Sequence, residues 1–149
     1  VIVVSNTDAL KEALWRFLHE HKVHIAPSAD FQALGRTNAD GKLIGVVGFN
    51  GFMGNVAWIH TAGDGNWVSR ELIRETFRYP FVQVGVKYLF AAVAGNNHRA
   101  LRFDRKMGFQ DYDCLANGWD DGVPLYILKM AREDCRWLNA GEYVRRKSA

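Results

Sequence analysis

Two cysteines, Cys114 and Cys135, are all that this chain of 149 residues contains. They form neither a CxxC pair nor a disulfide framework, which excludes a stapled secreted scaffold and fits a reducing compartment. Each reads as a small buried hydrophobe in preference to a catalytic thiol. Long apolar runs are missing too. None reaches membrane-spanning length, and the opening "VIVV" is too short for a signal-peptide core, so a soluble, cytoplasmic protein with no membrane association is expected. There is no internal repeat, low-complexity tract or Ser/Gly-rich linker, hence no second domain to expect. A strong excess of one charge is also absent. The net charge is +3 and the pI about 9.0, which suits a polyanionic ligand without pointing to nucleic acid as a partner. Much of that excess sits in "EYVRRKSA", read as a short basic, solvated tail at about 140–149.

What is present suffices for one core. Hydrophobic residues make up 48% of the chain and charged residues 23%, the proportions of a single domain over 1–149. "VIVVSNTDALKEALWRFLHEHK" begins as a strand and turns into a helix that Asn6 or Thr7 can cap. Leu10, Ala13, Leu14, Phe17 and Leu18 then make one apolar stripe. His19, His21 and His24 invite a metal reading, but residues two apart do not share a helix face. A fraying, solvent-facing helix end is expected there, with no metal site. "FQALGRT", "KLIGVVGFNGF" and "GNVAWIHTAG" read as an antiparallel meander. "WVSRELIRETFRYPFVQVG" follows with Val68, Leu72, Ile73, Thr76 and Phe77 on one helical face; Pro80 should kink or restart that helix and Gly85 end it. "VKYLFAAVA" suits a strand buried on both faces. A helix from Asn97 and two strands around the turn-rich "NGWDDG" complete the order β, α, β-β-β, α, β, α, β-β. The class is mixed α/β (α+β), antiparallel first and gaining parallel pairing around the two later helices.

Two places carry chemistry. In "AWIHTAGDGNWVSREL" a strand runs through a glycine-containing loop into a helix start. Unpaired N–H groups and the helix dipole there favour an anion such as phosphate. Gly63 and Gly65 allow close approach and positive φ, Ser69 offers a hydroxyl and Arg70 a charge. Neither GxxxxGK[ST] nor GxGxxG occurs in the required context, so no nucleotide fingerprint is met. The second place is "NNHRALRFDRKMGF". At 100° per residue, Ala100, Phe103, Asp104 and Met107 share one side of the helix, and Arg99, Arg102, Arg105 and Lys106 the other. Asp104 therefore lies in the apolar stripe, where a carboxylate is costly unless paired or put to use. Either it meets a basic partner or it lines a cleft.

These residues resemble the signature of the GNAT superfamily, the acyl-CoA-dependent N-acyltransferases: Asn97, then small Ala100, then a helix ending in Met107, Gly108 and Phe109. The element order matches that family over essentially the whole chain. "RETFRYPFVQVGVKYLFAAV" looks most like the branch acetylating protein N-termini and related amines. The resemblance implies a mostly antiparallel central sheet, splayed between its fourth and fifth strands and flanked by helices. It implies acetyl-CoA as acyl donor, an amine-bearing small molecule or protein as acceptor, and a monomer or homodimer. Ile59, His60 and Thr61 fall where strand backbone pairs with the pantetheine arm. Asp64, Gly65, Asn66, Trp67, Val68, Ser69 and Arg70 fall on the pyrophosphate loop, and Asn97 on the cofactor-binding asparagine. Two departures stand out: "DGNWVS" replaces the family's basic, glycine-richer loop, and Asp104 occupies the place of a tyrosine that often protonates the leaving thiolate. Catalytic roles then fall on Asp104, as acid or as attractor of the cationic amine, and on His60 as base. His60 can equally be a solvent-facing strand histidine, and His98 is a further base at a more exposed helix start. The competing reading is a catalytically silent module of the same fold that binds CoA, protein or nucleic acid.

Overall fold

The computed structural model describes residues 1–139. The basic tail expected at 140–149 lies outside the described residues. Within them the chain forms β1 (Ile2–Val4), α1 (Asp8–Glu20), β2 (Gln32–Thr37), β3 (Leu43–Met53), β4 (Val56–Gly63), α2 (Arg70–Arg78), a π-helical turn (Tyr79–Val84), β5 (Tyr88–Ala94), α3 (His98–Met107), β6 (Gln110–Asp120), β7 (Val123–Ala131) and a short 3-10 turn (Arg132–Asp134). The seven strands make one sheet in the order β1-β2-β3-β4-β5-β7-β6.

Local chemistry sets the helix limits. Thr7 caps α1 by accepting from Leu10 N at 3.1 Å. Pro80 cannot donate to the ladder, and the helix changes to the π form at Tyr79 and stops at Gly85. At the end of α3, Gly108 takes φ 114, a left-handed value that a side chain resists, which turns the chain back so that Phe109 enters the core.

Helices cover both faces of the sheet. On one face α1 lies over β2, β3 and β4, and Leu14, Phe17 and Leu18 pack with Ile25, Phe31 and Val46. Ala13, expected in that stripe, is exposed. On the other face α2, the π-helical turn and α3 close a larger core around Phe49, Leu72, Phe81, Leu89 and Leu128, each 1% exposed or less. Full burial of a side chain of that size is worth about 1.5–3 kcal/mol.

Three expectations need correction. Parallel pairing occurs between β4 and β5 alone. After α3 the chain runs to the sheet edge as β6, and β7 returns antiparallel beside β5, so α3 makes no parallel crossover. The turn-rich "NGWDDG" is mostly strand, with the reversal reduced to Asp121-Gly122. Asn117 and Gly118 serve a register break between Leu115 and Asp120, where Asn117 Oδ1 accepts from Gly122 N at 2.7 Å. Finally, β5 is not buried on both faces: Leu89, Ala91 and Val93 are buried, whereas Tyr88 and Ala92 are exposed.

Candidate active site

β4 and β5 pair only at Val56–Tyr88, Ala57–Leu89 and Trp58–Phe90. Beyond Trp58, β4 stays paired with β3 as far as Gly63, and β5 with β7 as far as Ala94. Each strand is held by its outer neighbour while the inner edges part, which leaves the inward backbone groups of Ile59–Gly63 and Ala91–Ala94 without a ladder partner. A buried edge of that kind calls for a ligand. A cavity of about 410 Å³ fills the gap.

The apolar stripe of α3 forms one wall, with Ala100, Phe103, Asp104 and Met107 all on the cavity lining. Burial pushes the Asp104 carboxyl up to about 7, and among the described residues it makes no hydrogen bond or ion pair. The basic partner considered for it is engaged elsewhere, because Arg105 grips Asp111 with two bonds of 2.9 Å. The lining alternative for Asp104 is the one the geometry supports.

On β4, His60 is half-buried, not solvent-facing, and lines the same cavity beside Ile59 and Thr61. Its Nε2 lies 2.7 Å from Asn50 Oδ1. A carbonyl oxygen only accepts, so Nε2 carries the hydrogen and Nδ1 is left as acceptor. Burial lowers its pKa to about 4, and the ring is neutral at physiological pH. His98 is exposed at the start of α3 and outside the lining.

The glycine loop is built differently from expectation. Asp64, read as a pyrophosphate-loop residue, turns its carboxylate to His21 Nε2 at 2.9 Å, and Asp64 N donates to Ile44 O at 2.8 Å. Partial burial disfavours the His21 imidazolium, yet the Asp64 bond and the Phe17 carbonyl outweigh it and raise its pKa. The α1 terminus is solvent-facing as expected, with Glu20, Lys22 and His24 exposed, but the His21 bonds hold it in place. His21 stacks on Phe17 at 3.9 Å, and His19 and His24 touch through their Nδ1 atoms at 3.2 Å. No group of three or more metal-ligating side chains occurs among the described residues. Gly63 admits a side chain and not a ligand: the Trp67 indole lies flat over Gly63 and Gly45 and meets Phe103 with ring centroids 5.8 Å apart. Asn66 is fixed by its carbonyl, which accepts from Arg36 at 2.6 Å. Gly65 alone of the loop takes a left-handed φ, at 55.

Ile59, His60, Thr61, Trp67, Val68, Asn97 and Asp104 thus meet on one cavity. Asp64, Gly65, Asn66, Ser69 and Arg70 stand outside the lining, in the loop and the α2 start beside it. Ser69 caps α2, its Oγ accepting from Leu72 N at 3.1 Å, as Asn97 caps α3 by accepting from Ala100 N at 3.1 Å. The sequence places the acceptor pocket in the loops "HKVHIAPSAD" and "ANGWDDGVP" without singling out a side chain. Lys22 and His24 of the first and Trp119 of the second do line the cavity, as does Thr76, which no sequence signal marks as a site residue. Thr76 was visible on the apolar face of α2 but reads there as core.

A seven-stranded sheet splayed at its one parallel pair, with helices on both faces and an asparagine-capped helix ending in Gly-Phe, is the GNAT fold. Solved structures of N-acetyltransferases share it. A dodecameric spermidine N-acetyltransferase from Vibrio cholerae is 15% identical with a TM-score of 0.70, over 98% of this chain and 96% of that one. A spermidine/spermine N-acetyltransferase from the same organism, in complex with manganese ions, is 14% identical with a TM-score of 0.66, over 98% and 95%. A putative phosphinothricin N-acetyltransferase is 18% identical with a TM-score of 0.65, over 88% and 97%. No protein-family model and no curated protein matches the chain.

Proposed function

We propose that the chain is an N-acyltransferase that moves the acetyl group of acetyl-CoA to a primary amine, directly and in a ternary complex. The observation that carries this reading is the pair of unpartnered strand edges opening onto a cavity with a carboxyl of near-neutral pKa in its wall.

The residues present fit such a donor. The inner edge of β4 at Ile59–Thr61 offers backbone donors and acceptors to an extended pantetheine-like arm. The first N–H groups of α2, at Arg70 and Glu71, have no intrahelical acceptor and would serve as donors to a pyrophosphate. Asp64, the residue least suited to an anion, has its charge met by His21. When bound, acetyl-CoA supplies an activated thioester; the protein's part is to position and to manage protons. A backbone N–H near Ile59 polarises the acyl carbonyl. Asp104, protonated in a substantial fraction at pH 7, can donate its proton to the departing sulfur, the task the low ordinary pKa of an aspartate forbids. His60 offers neutral Nδ1 to the attacking amine and is held in that tautomer by Asn50.

Release of free CoA thiol from acetyl-CoA in the presence of an amine panel that includes spermidine tests the reading. CoA binding with no thiol release for any amine would instead favour a silent module of the same fold. The donor site relies on backbone groups, so side-chain truncation there should be mild. Ser69→Ala is expected to weaken CoA binding by about 1 kcal/mol, through a frayed α2 start. Ser69→Pro should do far more harm, because Ser69 has φ -130, out of reach of a proline ring. Calorimetry with CoA compares them, and equal losses would rule out backbone-donor binding.

On the described residues no helix is long and apolar enough to cross a membrane. A cytoplasmic location and a monomeric or homodimeric state remain part of the proposal.

A further inference from the structure

The cavity reaches both sides of the sheet, since Leu72 and Phe103 line it from the α2 and α3 side, and His60, Lys22 and His24 from the α1 side. Side chains alternate along a strand. With Ala57, Ile59, Leu89 and Ala91 in the core under α2 and α3, the residues Trp58, His60, Phe90 and Ala92 face α1's side. There α1 lies over β2, β3 and β4, while Tyr88 and Ala92 on β5 and Tyr112 on β6 are exposed. That face carries an aromatic row. Trp58 and Phe90 have ring centroids 5.4 Å apart, and Phe90 meets Tyr112 at 5.5 Å. Tyr112 is 60% exposed. The row begins two residues from His60 on β4 and two from Ala92 on β5, both on the cavity wall.

The charges beside this route are mixed, because Asp113 pairs with Ile127 and Ile127 with Ala92, which puts the Asp113 carboxylate on the same face as the row. The Lys129 ammonium sits 5.0 Å above the Tyr112 ring, and Lys22, held at a left-handed φ of 66, stands on the cavity wall next to His24. Asp104 is the one carboxyl among the described lining residues. A polyamine needs several acids to hold its several ammonium groups, and on the cavity wall itself Asp104 is joined by Lys22 and by no second carboxyl among the described lining residues.

Building on the acyltransferase reading, we propose that the acceptor is a primary amine on an apolar or aromatic body with no further positive charge, which lies along Trp58, Phe90 and Tyr112 and enters past His60. The amine reaches Asp104 and His60 while its body stacks on the aromatic row.

The test compares 2-phenylethylamine with spermidine, by calorimetric binding to the CoA-loaded chain and by thiol release. The arylalkyl amine is expected to bind more tightly and to show a kcat/KM at least about tenfold higher. Tyr112→Ala, on an exposed residue whose loss leaves the core intact, should raise KM for 2-phenylethylamine several-fold with kcat kept. Lys22→Glu should improve spermidine relative to the wild type. Preferred binding of spermidine, or no binding of either amine, overturns the proposal. Binding of 2-phenylethylamine without thiol release, when no amine of the panel releases thiol either, keeps the arylalkyl amine as ligand and removes the acyltransferase reading.

Discussion

Asp104→Asn is expected to lower turnover at least about tenfold, 1.4 kcal/mol in the barrier, and to make the protein more stable at pH 8. The two effects have one cause. Burial lifts the carboxyl from 3.8 to about 7, so in the folded state ionisation is disfavoured. Between those values the folded chain holds a proton that the unfolded chain has released. Stability from this group is therefore complete below pH 3.8, falls as pH rises through about 7, and is level above. At pH 8 the native protein carries the full penalty of a half-buried carboxylate with no partner, and each pKa unit of it corresponds to about 1.4 kcal/mol. Asparagine keeps the shape and removes the charge, so Tm at pH 8 should rise by about 5 °C or more, with little change at pH 4. Loss of proton transfer appears in kcat, and loss of amine attraction in KM. An unchanged turnover with a lowered Tm would place Asp104 in a structural ion pair and out of the reaction. His60 acts in the opposite sense. Its pKa falls from 6.5 to about 4, so its contribution is present above 6.5 and lost as pH falls through 4. Over the shared window the two slopes oppose each other, and the wild type should show a flatter pH profile than either Asp104→Asn or His60→Asn.

Gly63→Ala should be strongly damaging for a single added methyl group. A Cβ there would lie well inside the van der Waals surface of the Trp67 indole, which also covers Gly45. To make room the ring must shift against Phe103, whose centroid is 5.8 Å away, or into the cavity that it lines. Overpacking of this kind costs about 1–3 kcal/mol. The displaced indole would also disturb the loop and the α2 start, so CoA affinity should fall with stability. Trp67→Ala is destabilising alone, yet it vacates the space that the new methyl needs. In the double variant the Gly63→Ala step should be nearly neutral, a coupling that urea denaturation reads as a cycle. Simple additivity of the two losses would mean that Trp67 does not pack on Gly63 in solution.

The elements and their limits were legible in the sequence because they depend on residues within a few positions of one another. Thr7, Ser69 and Asn97 cap helices by accepting from an N–H three residues on, and Gly85 and Gly108 stop helical segments. Asp104 could be placed on an apolar stripe from helical period alone, and the Asn-to-Gly-Phe spacing carried the fold. Where residues with turn propensity were used otherwise, as Asn117 and Gly118 are inside β6, pairing with β7 overrode the local signal.

The site itself was decided by the tertiary structure. Whether β4 and β5 stay together or part depends on β3 and β7 holding their outer edges, strands that lie far away in the sequence. His60 has its low pKa because the sheet face buries it, and its Nε2 is held by Asn50, ten residues earlier on β3. Asp64 looked like an obstacle to an anion until His21, 43 residues away, was found against its carboxylate. Trp67 looked like a lost glycine until Gly45 and Gly63 proved to be its seat. Propensity and capping act along the chain, whereas burial, desolvation and charge pairing are set by whichever distant residues the fold brings within a few ångströms. The sequence by itself determined which residue types the chain has and the helices and strands that carry them; folding decided which of them face one cavity and in what protonation state.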